Sequence, residues 1–341
     1  MKNPSWYGFN LLWLFSVAWR RERAVPSMVH IEESDVDFIA GMGCNFVRLP
    51  VDYQYFIHDF RYDEPDEAML KMVDRCVEAV VSRGIHCSLN IHRAPGYCIN
   101  GIELERDNLW RDEIAQKAFA GIWTMFAERY KNYTPEQLSF DLLNEPPEPG
   151  QHFMTRENHE KVMRDTVAAI RKADPSRPLI IDGICGGHNA APELADLGVI
   201  HSTRGYMPMR LTHWKAEWMR NSGSFDWPKP EYPGMECDGR VWNRDGLLAH
   251  YAQWKEMNSL GVPVHIGECG CYDKVDNPTA LRWFSDFFDV CNELGFGYAL
   301  WNFRGNFGIA EHRREGTRWE VRNGIKFDRD LYEMFVSHIK I

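Results

Sequence analysis

LSFDLLNE, residues 138–145, is a mostly apolar run that ends on Glu145, and two prolines follow it at once. A second run, PVHIGE at residues 263–268, ends on Glu268 and is followed by a Cys-Gly pair. Apolar residues at most positions and an abrupt end at Pro or Gly are typical of short strands that are buried on both faces. Each glutamate therefore stands at the carboxyl end of a predicted strand, where its side chain would point out of the core into a cleft.

The same succession of apolar strand, polar tip and amphipathic helix recurs along the whole chain. Strands that alternate with helices of this length imply right-handed crossovers and a parallel sheet. No Gly-rich turn of the kind usual in an open doubly wound sheet follows the first strand, and eight such units fit a closed (β/α)8 TIM barrel. The predicted strands are residues 6–10, 45–50, 85–91, 138–144, 178–182, 199–206, 263–267 and 296–301, and the predicted helices are about residues 34–42, 66–83, 112–130, 156–173, 191–197, 243–260, 278–294 and 328–339.

Length and composition fit one globular domain over residues 1–341, with 44% hydrophobic and 26% charged residues. The formal net charge of −10 argues against a nucleic-acid partner and against an anionic membrane surface, because both would repel the chain. The first residues lack the polar spacer and small-residue cleavage site of a secretory signal. As written, the sequence predicts a cytoplasmic protein, or a secreted one if a leader has been removed.

The longest insertion, at about residues 207–242, follows the sixth predicted strand and is rich in tryptophan. Long connections without regular structure are usually functional lids or cleft walls. We therefore expect a Trp-rich insertion that lines a binding cleft; the alternative is a packed ornament on the barrel.

The carboxyl ends of the predicted strands carry several further polar and aromatic residues. In a (β/α)8 barrel the active site lies at these ends. The two glutamates fall on the fourth and seventh strands, which are expected to face each other across the mouth of the barrel. Two carboxyl groups so placed fit cleavage of a glycosidic bond, in which one protonates the leaving oxygen and the other attacks the sugar or activates water. The other strand-end candidates are Arg48, His92, Asn144, Tyr206 and Trp301.

The order and spacing of seven motifs resemble glycoside hydrolase family 5, the cellulase family, and within it the compact bacterial endoglucanases. Single motifs are modest, but together they span nearly the whole predicted barrel. They are GFNL at 8–11, VRLPVDY at 47–53, NIHRAPGY at 90–97, DLLNEP at 141–146, GYMPMRLTHWKAEW at 205–218, HIGECG at 265–270 and YALWNFRG at 298–305.

The resemblance implies a retaining mechanism through a glycosyl-enzyme intermediate. Glu145 would be the general acid/base, and Glu268 would be the nucleophile, kept ionised by donors from Arg48 and Tyr206. A β-linked oligo- or polysaccharide is then the expected substrate.

The resemblance also assigns three supporting residues and exposes one departure. Asn144 would hold the sugar 2-hydroxyl, His92 would line the subsite where the bond breaks, and Trp301 would form the floor of that subsite. Members of the family usually carry a His two residues before the Tyr of the sixth strand, and this chain has Arg204 there. A permanent cation at that position would favour the ionised form of Glu145, so we expect activity to survive with its alkaline limb at lower pH than in relatives with His.

Several functions stay open at this point. Endo-β-1,4-glucanase leads, and β-mannanase, exo-acting β-1,3- or β-1,4-glucanase and β-glucosidase are alternatives, since the turn at residues 92–96 also resembles enzymes of the family that act on β-1,3-glucans. From other classes, a non-catalytic carbohydrate-binding barrel would not need both glutamates. A metal-dependent barrel enzyme is disfavoured, and no metal or other cofactor is expected, because no HExxH or HxH pair stands at a strand tip. The oligomeric state is left open.

Overall fold

The computed structural model describes residues 2–20 and 22–340 of the chain. Within these residues, eight parallel strands are hydrogen-bonded into a closed barrel and stand in chain order around it. The predicted (β/α)8 barrel is confirmed, and each strand lies close to its expected bounds. The barrel strands are β1 (Tyr7–Asn10), β2 (Phe46–Asp52), β3 (His86–Arg93), β4 (Leu138–Asp141), β5 (Leu179–Asp182), β6 (Ile200–Gly205), β7 (Val264–Cys269) and β8 (Tyr298–Leu300).

Helices separate the strands, as the alternating pattern predicts. The α-helices of the described chain are α1 (Glu33–Gly41), α2 (Glu67–Val81), α3 (Glu113–Arg129), α4 (Arg156–Ala173), α5 (Ile184–Gly187), α6 (Met209–Thr212), α7 (Arg244–His250), α8 (Ala252–Ser259), α9 (Asn277–Leu294) and α10 (Arg329–His338). Short 3₁₀ helices cover Pro26–Met28, Tyr53–Tyr55, Ile102–Leu104, Pro192–Leu197 and Glu217–Ser222. Among the described residues, no helix combines the length and the apolar character needed to cross a membrane.

Local sequence sets the ends of the main helices. The carboxylate of Asp66 accepts hydrogen bonds from the first backbone amides of α2, and Thr155 and Asn158 form a reciprocal capping box at the start of α4. Helix α9 ends at Gly295, whose φ of 67° is the left-handed conformation that stops a helix.

Three details differ from the sequence-based expectation. The segment predicted as a helix at 191–197 is a 3₁₀ helix over Pro192–Leu197, and the helix predicted over 243–260 is divided at Tyr251 into α7 and α8. The insertion at 207–242 is not structureless, because it contains α6, the 3₁₀ helix Glu217–Ser222 and a hairpin of Met235–Cys237 with Arg240–Trp242.

A second hairpin, Trp319–Arg322 with Ile325–Asp328, was also not predicted. Both hairpins turn on two residues with positive φ, Asp238-Gly239 in one and Asn323-Gly324 in the other. Asp-Gly and Asn-Gly are the preferred pairs for such turns, so the signal was present in the sequence.

The chain divides into two compact units, named here after the glutamate that each carries. The Glu145 unit comprises residues 11–37 and 45–203, and the Glu268 unit comprises residues 1–10, 38–44 and 204–341. The organisation of residues 1–341 as a single domain stays a prediction.

In the Glu145 unit, parallel pairing from β2 to β5 sets polar residues side by side on an otherwise apolar sheet. Arg48 pairs with Ser88, which pairs with Ser139, and Asn90 pairs with Asp141. These five side chains are buried. Buried polar groups need partners within the protein, and Asn90 has one in the carbonyl oxygen of Asp141, to which its side-chain amide donates at 3.1 Å.

In the Glu268 unit, aromatic packing joins β1 and β8 to helices α9 and α10. The ring of Phe288 stacks on Tyr298 at 4.8 Å, and Phe335 packs against both. Offset and edge-to-face pairs of this kind stabilise a core beyond the burial of their area. At the carboxyl end of β1, the Asn10 side-chain amide donates to the carbonyl oxygens of Gly267 and Leu300, at 3.0 and 3.3 Å, and so ties three strands together.

Candidate active site

Glu145 lies four residues beyond the end of β4, in a backbone conformation that is unusual for a side-chain-bearing residue. Its φ is 48°, in the left-handed region. Its N–H donates to Oδ2 of Asp182, at the end of β5, at 2.9 Å. Its carbonyl oxygen accepts from the hydroxyl of Tyr97, in the loop after β3, at 2.6 Å. Both backbone groups of the half-buried glutamate are thus held by side chains from neighbouring strands.

Arg48, on β2, orients the residue that precedes Glu145. Its Nε donates to Oδ2 of Asp141 at 2.5 Å and its Nη2 donates to Oδ1 of Asn144 at 3.0 Å. All three side chains are buried. Because the guanidinium only donates, it fixes the Asn144 amide with its oxygen toward Arg48, and the NH₂ group is the end turned away.

His92, near the end of β3, is buried, and its ring meets the ring of Phe15 edge-on at 4.8 Å. The next residue, Arg93, belongs to a buried ionic cluster. Its Nη1 donates to Oε1 of Glu105 at 2.9 Å, and its Nε lies 3.5 Å from Oδ2 of Asp52. Burial raises the pKa of Asp52 to about 7, against the lowering effect of Arg93, and it also raises the pKa of Glu105.

The ionic cluster supports the turn that carries Tyr97. Oε2 of Glu105 accepts from the Gly96 amide at 3.2 Å. Ala94 and Tyr97 exchange both backbone hydrogen bonds, at 2.9 and 3.0 Å, across the intervening Pro-Gly pair. Gly96 has a φ of 78°, and a Cβ there would lie 2.5 Å from the backbone nitrogen of Leu109, so only glycine fits this position.

Glu268, on β7, is buried, and each of its oxygens has a donor. Tyr206, directly after β6, donates its hydroxyl to Oε2 at 3.0 Å. Nη2 of Arg204, on β6, lies 3.3 Å from Oε1, and the Arg204 side chain has no exposed surface. A neutral donor and a cationic donor thus fix the orientation of this carboxylate.

Arg204, the residue that departs from the usual family pattern, forms an ion pair with Glu268. The expected effect of the cation on the acid/base Glu145 stays a prediction, as does the expected donation from Arg48 to Glu268.

Trp301 lies at the end of β8 beside a cluster of buried hydrophobic residues, Tyr206, Ala216, Tyr272 and Phe307. The backbone N–H of Trp301 donates to the Cys269 carbonyl oxygen at 2.7 Å, and the Trp301–Asn302 peptide bond is cis. Trp218, from the insertion, meets Tyr272 edge-on at 5.0 Å and is 54% exposed. The insertion thus places an exposed indole ring, that of Trp218, next to the same hydrophobic cluster on which Trp301 packs.

Within the units, the structure brings Arg48 to Asn144, and Arg204 and Tyr206 to Glu268. Four further residues that the sequence did not single out contact these groups: Tyr97, Asp141, Asp182 and His213. Two of them could have been predicted from the sequence. Asp141 lies inside a buried strand and therefore needs a charged partner, and Asp182 ends a predicted strand as the other candidates do. In residues 2–20 and 22–340, no group of three or more His, Cys, Asp or Glu is arranged to hold a metal ion.

A family model described as cellulase (glycosyl hydrolase family 5) matches residues 3–307. The chain belongs to glycosyl hydrolase family 5. The resemblance that the motifs carry is therefore confirmed, and the chain is an O-glycosyl hydrolase with the barrel of that family.

The chain is similar to two solved structures and one curated relative, among others. Endoglucanase C of Acetivibrio thermocellus is 30% identical over 321 residues, which cover 86% of this chain and 90% of that protein. A structure described as a glycoside hydrolase is 46% identical, with a TM-score of 0.93 and 99% of both chains covered. The structure of Thermotoga maritima Cel5A in complex with mannotriose is 23% identical, with a TM-score of 0.74 and 97% of both chains covered, and shares the fold.

Proposed function

We propose that this family 5 glycosidase hydrolyses β-1,4-linked glucans or their oligosaccharides, in the manner of an endoglucanase, by a retaining double displacement. The observation that carries the proposal is the different environment of the two glutamates. Glu268 is buried with a donor on each oxygen, which suits a fixed nucleophile. Glu145 is half-buried, and the contacts from Tyr97 and Asp182 hold its backbone. A half-buried carboxyl group on a fixed backbone suits an acid/base that must gain and lose a proton.

The proposed reaction has two steps. Glu268 attacks the anomeric carbon while Glu145 gives its proton to the glycosidic oxygen, so that an ester bond to Glu268 forms as the bond to the leaving sugar breaks. Glu145, now ionised, then takes a proton from water, and the water oxygen displaces Glu268 from the sugar. The product keeps the β configuration, and both glutamates return to their starting states.

The surrounding side chains fit supporting roles in this reaction. The Asn144 amide, fixed by Arg48, would donate its N–H to the sugar 2-hydroxyl, a contact that strengthens as positive charge develops at the anomeric carbon. Trp301 would stack on the sugar at the cleavage point, and the exposed face of Trp218 offers a further place for a sugar ring. His92 would line the same subsite.

Support for a glucan comes from the similarity to Endoglucanase C. β-Mannan and β-1,3-glucan are the competing substrates, and the mannotriose bound by the Cel5A structure is the reason to include mannan in the test. The cytoplasmic location expected from the sequence stays a prediction.

Product analysis on cello-, laminari- and manno-oligosaccharides tests the proposal. We expect internal cleavage of the cello-series, with the β-anomer appearing first by proton NMR. Glu145→Ala and Glu268→Ala should both abolish hydrolysis, and added azide should restore turnover of an activated aryl glycoside in Glu145→Ala as a β-glycosyl azide. Initial release of the α-anomer would exclude the retaining mechanism, and preference for the manno- or laminari-series would exclude the glucan assignment.

A further inference from the structure

The segment from Glu145 to Pro147 is held in an unfavourable conformation by groups from two neighbouring strands. A non-glycine residue with φ of 48° is uncommon. Strained backbone of this kind persists only where surrounding contacts impose it, and it concentrates at functional sites. The contacts that impose it here are therefore of functional interest.

Two side chains close on the Glu145 peptide groups from opposite sides in the sheet order. The Tyr97 hydroxyl, from the β3 side, donates to the carbonyl oxygen at 2.6 Å, and Asp182 Oδ2, from the β5 side, accepts from the N–H at 2.9 Å. Tyr97 is fully buried and Asp182 is 2% exposed. Both contacts are made to backbone atoms of Glu145 and not to its carboxyl group.

The two prolines after Glu145 are held through their carbonyl oxygens, since proline has no N–H to donate. The amide of Gly186 donates to the Pro146 oxygen at 2.9 Å, and the amide of Cys185 donates to the Pro147 oxygen at 3.2 Å. Backbone amides of α5, which follows β5, therefore hold the two prolines after Glu145, next to the contact that Asp182 makes with the Glu145 amide.

The donor on the β3 side keeps its proton across the working pH range. Burial, with the negative charges of Glu145 and Asp182 nearby, raises the pKa of Tyr97 well above its ordinary value. The hydroxyl remains a donor, and the turn that carries it is fixed by the Glu105–Gly96 bond.

We propose that Tyr97 and Asp182 are positioning residues that clamp the backbone of Glu145 and so set the reach of its carboxyl group toward the glycosidic oxygen. The inference rests on the proposed acid/base role of Glu145. A misplacement of about 1 Å at a reacting group can reduce a rate about 10²-fold. Loosening the clamp should therefore impair proton donation selectively, and should spare steps that need no proton.

Substrates that differ in their need for the acid test this selectivity. A cello-oligosaccharide must be protonated at its leaving oxygen. The 2,4-dinitrophenyl glycoside of the same sugar needs no such proton, because its leaving group departs as the stable 2,4-dinitrophenolate anion. For both substrates kcat/KM reports the step up to formation of the glycosyl-enzyme. Tyr97→Phe removes one hydroxyl, Asp182→Ala removes the acceptor, and Asp182→Asn keeps an acceptor oxygen as the conservative variant.

The matched control is Tyr130→Phe, since Tyr130 is also buried and also donates its hydroxyl, to Asp74 at 2.9 Å, but lies at the end of α3. We expect Tyr97→Phe and Asp182→Ala to lose about 10²-fold in kcat/KM on the oligosaccharide, with little loss on the dinitrophenyl glycoside. Asp182→Asn should recover part of the loss, and Tyr130→Phe should keep the wild-type ratio between substrates.

Equal losses on the two substrates, or a Tyr97→Phe ratio equal to that of Tyr130→Phe, would overturn the positioning role while leaving the proposed function intact. If Asp182→Ala does not fold, the comparison of the two tyrosine variants still decides the matter. A wild-type enzyme that cleaves no β-glycoside, or a Glu145→Ala variant that retains oligosaccharide hydrolysis, would overturn the proposed function and this inference with it.

Discussion

Arg204 and Glu268 form a buried ion pair, with 3.3 Å between Nη2 and Oε1. Tyr206 donates its hydroxyl to the other carboxylate oxygen, Oε2, so each oxygen of Glu268 contacts a different side chain. The residue that departs from the usual family pattern thus contacts the proposed nucleophile.

Replacing Arg204 should change both the strength and the pH dependence of catalysis. Arg204→Met removes a charged donor from Glu268, and we expect kcat/KM to fall about 10- to 100-fold, in line with the loss of a hydrogen bond to a charged group. Arg204→His removes the permanent cation, and we expect Glu145, the proposed acid, to give up its proton less readily. The alkaline limb of the pH–rate profile should then lie at higher pH than in the wild type.

Tyr206→Phe provides the matched comparison, because it removes the neutral donor from the same carboxylate. Its alkaline limb should stay where the wild-type alkaline limb is, while kcat/KM falls. Superimposable limbs in wild type and Arg204→His would contradict the predicted electrostatic role of Arg204.

Breaking the buried pair of Arg48 and Asp141 should destabilise the protein strongly, because it leaves a buried charge without its partner. The side chains are 1% and 2% exposed, and 2.5 Å separates Nε from Oδ2. Asp141→Asn removes a negative charge next to a buried guanidinium, and we expect a loss of about 3–5 kcal/mol in the free energy of unfolding. Asp74→Asn breaks a comparable contact to Arg129 in a partly exposed place and should cost about 1 kcal/mol or less. Urea unfolding measures the free energy of unfolding of both variants, and equal losses would contradict the greater effect expected of the buried pair.

Acid should destabilise the protein through its buried neutral histidines. Burial lowers the pKa of His86, His159, His201 and His312 to about 4 each, from an ordinary value of 6.5. A depressed histidine pKa contributes stability that is present above pH 6.5 and is lost as the pH falls through 4. Asp52, whose raised pKa is about 7, acts in the opposite direction, since its contribution is lost as the pH rises through 7.

His159→Gln isolates one of these histidines. We expect the drop in unfolding free energy between pH 7 and pH 4 to shrink by about 2–3 kcal/mol relative to the wild type. His30→Gln, at an exposed position, should leave the drop unchanged. Guanidinium unfolding at a series of pH values gives the comparison, and parallel curves for wild type and His159→Gln would rule out the effect.

Gly96 should be far less replaceable than another glycine with the same backbone conformation. Gly84 has a φ of 73° and open space where a Cβ would stand, whereas a Cβ on Gly96 would meet the backbone of Leu109. Gly84→Ala should therefore cost only the conformational strain, about 1–2 kcal/mol. Gly96→Ala adds steric overlap worth about 1–3 kcal/mol more. It should also reduce oligosaccharide hydrolysis by displacing Tyr97, and wild-type activity would contradict that coupling.

The strand ends could be predicted from the sequence because proline and glycine, which disfavour continued strand, stand at them. Proline after Glu145 and glycine near Glu268 stop buried runs, and the period of eight units then fixes the barrel. Arg48, Tyr206 and Trp301 follow from the same pattern, since each ends or nearly ends a predicted strand.

The remaining contacts depend on geometry that periodicity does not contain. Tyr97 acts through its hydroxyl on a backbone carbonyl and Asp182 on a backbone amide, so neither looks like part of a catalytic pair. The partner of Arg204 depends on which way a long side chain turns between two strands. The hairpin turns carry the favoured pairs Asp238-Gly239 and Asn323-Gly324. The alternation of strands and helices that predicts a barrel contains no hairpins, so that pattern does not predict them.

The consecutive imino acids at positions 146 and 147 have one more consequence. An unpaired polypeptide edge recruits a neighbour through alternating amide hydrogens and oxygens. Here the hydrogens are missing by covalent structure, and the oxygens are already occupied by Cys185 and Gly186. The two residues after Glu145 therefore offer neither an amide hydrogen nor an unoccupied oxygen pair to an approaching strand, so backbone pairing of another chain beside Glu145 is disfavoured.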